Sequence, residues 1–185
     1  MNVYDFDGTI YKGDSTIDFY KYCALRHPSA LLYLPVQIKG AVLYKLGRYS
    51  KTHFKEAFFS FLKALDDPEA AVEKFWEKHG EKLYDWYISQ KREDDIIISA
   101  SPEFLLRPVC KSLGVRLIAS KVDIKTGSFN GLNCHDKEKP VRLKAEMGIT
   151  HIDKFYSDSL SDQPMAEIAD KAYLVKKGFA KPWSV

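Results

Sequence analysis

The 185-residue sequence predicts an α/β protein, a parallel sheet with helices on both faces that carries an inserted all-helical domain. Three observations predict it. After residue 91, short apolar and β-branched runs alternate with segments of helical period, the pattern of strands joined by crossover helices. Between the first run, Met1-Asn2-Val3-Tyr4, and the second, Asp95-Ile96-Ile97-Ile98-Ser99, the periodicity is helical only. An acidic stretch, Asp5-Phe6-Asp7-Gly8-Thr9, closes the first run. The division that follows is a Rossmann-like α/β core over 1–12 and 92–185 and a helical insertion over 13–91.

Each element has its own signal. Asp14-Ser15-Thr16 can cap a first helix, with Ile17, Phe19, Tyr20 and Leu25 behind it. Residues 55–65 and 68–87 carry apolar side chains at helical spacing, and Asp66-Asp67-Pro68 separates them with proline at a first-turn position. The run 95–99 reads as a buried strand. A helix follows, with Pro102 near its start and Gly114 past its end. Val115 to Ala119 is a strand. Thr126-Gly127 and Asn130-Gly131 within 122–134 are turn signals and predict a small hairpin or flap. A helix over 139–147 stops at Gly148, a polar strand runs over 153–157, a helix over 164–171 and a last strand over 172–175.

Composition bounds the function classes. Hydrophobic residues make up 45% and charged residues 29%, ordinary for a globular chain, and a net charge of +3 without a basic run gives no case for nucleic acid. Cys23, Cys110 and Cys134 are odd in number and form no C-x-x-C pair, which suits free thiols in a reducing cytoplasm. Cys134-His135 lacks a partner pair at zinc spacing. The acidic motif occupies the place of a signal peptide's charged and apolar regions, so none is expected. Pro28 to Gly47 has the length of a membrane-spanning helix, but Pro35, Gln37, Lys39 and Lys45 interrupt it. A buried or partly exposed helix pair is expected there, with contact to a membrane surface left open. Oligomeric state is not encoded in any pattern.

The chemistry is carried by polar groups at strand ends, where open parallel sheets gather their functional residues. In a strand, Asp5 and Asp7 project to the same side while Phe6 points away. Two like charges that close call for a cation or a shared proton. Ser99, Lys139 and the pair Asp158/Asp162 follow other strand-like runs. Carboxylates suit Mg²⁺, which keeps few protein ligands, several waters and a substrate phosphate. A hydroxyl and an ammonium can hold the remaining phosphate oxygens.

With those residues stated, the chain resembles the haloacid dehalogenase-like phosphatases, and within them the phosphoserine-phosphatase-like branch, whose helical cap is inserted after the first motif. Asp5-x-Asp7-Gly8-Thr9 matches the first motif, Ile96-Ile97-Ile98-Ser99 the second, and Asp158-Ser159-Leu160-Ser161-Asp162 the fourth. The third, a lysine, is placed at Lys139, with Lys137 as rival. The resemblance implies Asp5 as nucleophile and Asp7 as general acid and base. It implies Mg²⁺ held by Asp5, Asp158 and the backbone carbonyl of Asp7, and phosphate contacts from Ser99, Ala100 and Lys139. Asp162 would orient Lys139 or a metal-bound water, and Thr9 would brace the loop and Asp7. Asp14 stands where relatives carry a glutamate for the substrate amine. That difference, with Ser99-Ala100-Ser101 and Ser161 in place of the usual residues, speaks against phosphoserine itself, while Ser99-Ala100-Ser101-Pro102-Glu103 with an apolar cap resembles relatives acting on phospholipid-type head groups and implies a small or amphiphilic phosphomonoester. A phosphotransferase or mutase of the same superfamily, or a receiver-like signalling domain, are the alternatives.

Overall fold

A computed structural model describes residues 1–184. Six strands form one sheet in the order β3-β2-β1-β4-β5-β6. Strand β1 (Asn2–Tyr4) lies near the middle and leads directly into Asp5. Helices α1 (Ser15–Arg26), α2 (Leu34–Lys45), α3 (Lys51–Phe59), α4 (Pro68–His79) and α5 (Asp85–Gln90), with three 3-10 segments, fill the chain between β1 and β2 (Ile96–Pro102). Then come α6 (Glu103–Leu113), β3 (Arg116–Ser120), α7 (Glu138–Met147), β4 (Ile152–Ser157), the single turn α8 (Gln163–Ala166), β5 (Ala169–Lys176) and β6 (Phe179–Pro182).

The first five strands are parallel, and the two faces of the sheet can be read residue by residue. Val3, Ile96, Ile98, Ile118 and Phe155 point to one side and pack with Leu143 and Met165 of α7 and α8. Their neighbours Tyr4, Ile97, Ala119 and Tyr156 point to the other side, as the two-residue period requires. There they share one core with Phe19 and Cys23 of α1, Val72, Phe75 and Trp76 of α4, Tyr87 of α5 and Leu105 and Leu106 of α6. Tyr4, Tyr156 and Tyr173 stack across three neighbouring strands, at centroid distances of 4.8 and 4.9 Å. The helices between β1 and β2 are thus partly rooted in the sheet's own core. Cys23, Cys110 and Cys134 are all buried as free thiols.

Local chemistry sets several boundaries. The Asp14 side chain accepts from the Ile17 N–H and caps α1; Ser50 and Asp67 do the same for α3 and α4. Gly114 and Gly148 end α6 and α7 in the left-handed conformation.

Three expectations are corrected. The helix over 164–171 shrinks to α8, because Ala169 and Lys171 are drawn into parallel register with Ile152 and Lys154 of β4. The ladder overrides the helix propensity of those residues. The sheet also ends in an antiparallel edge, β6, reached through Lys177-Gly178 with positive φ at both residues, a two-residue hairpin turn. The helix over 68–87 breaks after His79. There Lys12 donates its N–H to Lys82 and Tyr84 donates to Ile10, pinning this stretch to the loop after β1. The small hairpin expected within 122–134 is present: Val122 and Phe129 pair antiparallel, Asp123 donates its N–H to the Ser128 carbonyl and Asn130 its N–H to that of Lys121, and Asp123 organises the turn by accepting from the Thr126 N–H and hydroxyl.

Candidate active site

The strand order reverses between β1 and β4, and the crevice outside the carboxyl ends of such strands is where open α/β sheets bind ligands. A cavity of about 540 Å³ opens there. Asp5, Asp7, Asp14, Ser99, Ala100, Lys139, Asp158 and Asp162 all line it. Thr9 lies behind the wall, fully buried.

The floor is tightly interlocked. Lys139, 2% exposed, donates to Asp5 Oδ1 at 2.9 Å and to Asp162 Oδ2 at 2.6 Å. Ser157 Oγ donates to the same Asp162 oxygen at 2.7 Å. Burial opposes the charge on Lys139, but Asp5 and Asp162 outweigh it and raise its pKa. Burial pushes Asp5 up to about 7 against the pull of Lys139, with the nearby Asp162 charge adding to the rise. Asp7 is pushed up to about 6 by burial and the Asp14 charge, and burial raises Asp158 as well.

Asp7 sits between two donors, the Ser15 N–H at the start of α1 and the Ser101 hydroxyl. Thr16 Oγ1 lies 3.0 Å from Ser101 Oγ, and the Ser101 N–H donates to Ser99 Oγ at 3.1 Å. Ser101, two residues beyond Ser99 on the same strand, thus belongs to the site. The i, i+2 spacing was the signal for it. Thr9 does not brace Asp7 through its side chain: its hydroxyl has no hydrogen-bond partner among the described residues.

The Asp158 carboxylate rests on Gly8. A Cβ at residue 8 would come within 2.2 Å of Asp158 Oδ2, and φ there is +70°, so both space and backbone demand glycine. Four carboxyl groups, Asp5, Asp7, Asp158 and Asp162, therefore share a floor whose ammonium, Lys139, is already bonded to Asp5 and Asp162. Among the described residues no three His, Cys, Asp or Glu side chains converge as a metal cage. The donors available are two carboxylates, Asp5 and Asp158, and the Asp7 carbonyl, all oxygen. That small set fits Mg²⁺, which retains water and substrate ligands.

One wall was not legible beforehand. Helix α3 turns Lys51, Phe54, Lys55 and Phe58 into the cavity, opposite Ile17. Lys55 Nζ donates to the Ala100 carbonyl at 2.8 Å and to Asn133 Oδ1 at 2.9 Å. Both acceptors are neutral, and an ammonium has three donors. Burial, with the neighbouring Lys51 charge, lowers the Lys55 pKa to about 8. Burial, with the neighbouring Lys51 charge, also lowers His135, which lines the same cavity. Asp14 faces the cavity, but its side chain is engaged as the α1 cap.

The sequence profile of the haloacid dehalogenase-like hydrolases matches residues 3–167. Protein CicA of Caulobacter vibrioides is 28% identical over 205 residues, an alignment covering 95% of this chain and 86% of the relative. A protein with unknown function from Bordetella pertussis Tohama I has a similar structure, with a TM-score of 0.75 at 21% identity, covering 93% of this chain and 87% of that one. A phosphoserine phosphohydrolase-like protein from Francisella tularensis matches with a TM-score of 0.55 at 18% identity, over 92% and 84% of the two chains. At those identities the two structures speak for the fold, which is shared with phosphoserine-phosphatase-like proteins. The profile match spans most of the chain, and this protein belongs to the haloacid dehalogenase-like hydrolase family.

Proposed function

We propose that the protein is a Mg²⁺-dependent phosphomonoester phosphatase that works through an aspartyl-phosphate on Asp5. The observation that carries this reading is the juxtaposition of Asp5 with Lys139 at 2.9 Å on a cavity floor shared with Asp7, Ser99 and Asp158. A buried carboxylate beside a fixed ammonium is oriented for attack, and the ammonium offsets charge on the phosphoryl group.

Asp5 attacks phosphorus, forming a P–O bond to its carboxylate while the bond to the ester oxygen breaks. Asp7, whose burial favours the protonated carboxyl, gives its proton to the leaving oxygen. A water then attacks the aspartyl-phosphate, Asp7 takes its proton, and inorganic phosphate leaves with Asp5 restored. The Ser15 N–H and the Ser101 hydroxyl hold Asp7 in place for both steps. Ser99 and the backbone at Ala100 border the phosphoryl site, and Asp162 fixes Lys139 from behind. Mg²⁺, held by Asp5, Asp158 and the Asp7 carbonyl, supplies charge neutralisation when bound.

The α3 wall supports a substrate class. Phe54, Phe58 and Ile17 offer apolar surface beside the ammonium groups of Lys51 and Lys55. The reading is an amphiphilic phosphomonoester that carries a second negative charge. Hydrolysis of a generic aryl phosphate should require Mg²⁺ and fall by about 10³-fold or more in Asp5→Asn, since the covalent route is lost. Turnover that survives Asp5→Asn would sink the mechanism. A screen of phosphorylated amino acids, sugars, nucleotides and lipid head groups then identifies the substrate.

A further inference from the structure

Helix α2 presents a physical problem. Gln37 and Gly40 form its inner stripe: Gln37 accepts from the Tyr20 hydroxyl and donates to the Phe58 carbonyl, and a Cβ at Gly40 would lie 2.4 Å from the Ala57 methyl. Helical spacing puts Leu34, Ile38 and Val42 away from that stripe, and they meet solvent. Ile38 is 61% exposed, Val42 51%, and Leu46 just past the helix 64%. The 3-10 turn before it adds Leu31 and Leu32. Of the fifteen exposed large apolar residues among the described part of the chain, nine fall within 25–46. Such a concentration marks a surface that something covers.

Charge selects the occupant. From residue 19 to residue 55 there is no Asp or Glu, while Lys21, Arg26, Lys39, Lys45, Arg48, Lys51 and Lys55 are all basic. The whole chain carries only +3, so the remainder is net acidic; of these cations Lys39, Lys45 and Arg48 lie exposed on 28–49, the segment that carries most of the apolar patch and holds no Asp or Glu. A second copy docked face to face would set these cations against each other. No helix among the described residues is long and apolar enough to cross a membrane, and α2 has 12 residues. An apolar helix with two lysines, no acid and Arg48 just past its end, too short to span, suits the interface of an anionic bilayer.

The patch is continuous with the cavity. Tyr44 on α2 stacks on Phe54 at 5.1 Å, and Phe54 also lines the cavity wall. We infer that the outward face of α2, with the 3-10 turn before it, docks on an anionic lipid surface and sets the cavity mouth beside it. This surface stands apart from the phosphatase reading, since none of Leu34, Ile38 or Val42 lines the cavity.

The test is co-sedimentation of the full chain with two kinds of vesicle, phosphatidylcholine alone and phosphatidylcholine mixed with phosphatidylglycerol. The chain should sediment with the anionic vesicles and release as salt rises. Ile38→Glu/Val42→Glu should weaken partitioning about tenfold or more, since it removes two inserted apolar side chains. Lys39→Gln/Lys45→Gln should weaken it by about five-fold per charge removed. Aryl phosphate turnover and thermal melting should be unchanged in both variants, which separates lost docking from lost folding. Three results would overturn the inference: no sedimentation with anionic vesicles, equal sedimentation of wild type and Ile38→Glu/Val42→Glu, or a dimer that the same substitutions dissolve. Sedimentation is read without turnover. A chain that binds vesicles yet hydrolyses nothing would therefore count against the phosphatase mechanism and for this surface.

Discussion

The floor of the cavity and its α3 wall face one cavity and are built on opposite principles. On the floor, Lys139 answers Asp5 and Asp162, Ser157 donates to Asp162, and the carboxylates left over, Asp7 and Asp158, make the excess that a cation would balance. On the wall, Lys55 is held by two neutral carbonyl oxygens, and Lys51 beside it adds repulsion. The floor hangs from central strands whose residues are buried on both faces. The wall leans on α2, whose other side meets water. A floor cross-linked by its own hydrogen bonds can keep one geometry through a reaction cycle, whereas a wall with cationic donors to spare is completed by what binds to it.

That contrast can be broken by substitution, starting with the floor. Lys139→Met leaves two carboxylates buried without their cation. It should cost about 3–5 kcal/mol, lowering the melting temperature by roughly 10 °C for a chain of this size. A shift of a degree or two in calorimetry would mean the floor is less interdependent than it looks. Gly8→Ala forces a side chain into a left-handed backbone and against Asp158. It should cost about 1–2 kcal/mol in stability from the backbone alone. Because Asp158 must move, Mg²⁺ dependence measured by titration should shift to higher concentration.

The wall should respond differently. Lys55→Met should leave the melting temperature unchanged or raised, while KM for a substrate with a second anion rises about tenfold and KM for a plain aryl phosphate does not. The pH sign follows from the lowered Lys55 pKa. The folded state disfavours the charged form, so wild type gains stability as pH rises from about 8 toward the unfolded value of about 10.4. Lys55→Met should lack that gain in melts across the range. Smallest is Asp18, outside both regions, which accepts from Lys82 at 2.7 Å and from Tyr11 at 3.0 Å. Burial works against its charge, but those donors prevail and lower its pKa. Its contribution is present above the unfolded value of about 4 and is lost as pH falls through the folded one. Asp18→Asn should flatten the acid limb of stability against pH by a small amount, because Lys82 is partly exposed.

The same contrast explains what could be read from the chain beforehand. Asp5, Asp7, Ser99 and Asp158 sit at or just past strand ends, where a two-residue period and the topology of parallel sheets assign a direction to each side chain. The α/β architecture followed from the same runs. Lys51 and Lys55 sit four apart on a helix, like many surface lysines, and only the packing of α3 on α2 turns them inward. Ala169 to Lys171 reads locally as helix, and its strand state depends on β4 beside it.

The three cysteines have a practical consequence. Burial pushes the thiols of Cys23 and Cys110 up to about 12 and that of Cys134 up to about 11, so near neutral pH none is reactive thiolate. A cysteine placed at Ile38 or Val42 would offer maleimide reagents one accessible thiol on an otherwise silent background. A polarity-sensitive dye attached there would turn the α2 face into its own reporter, with the native cysteines left in place.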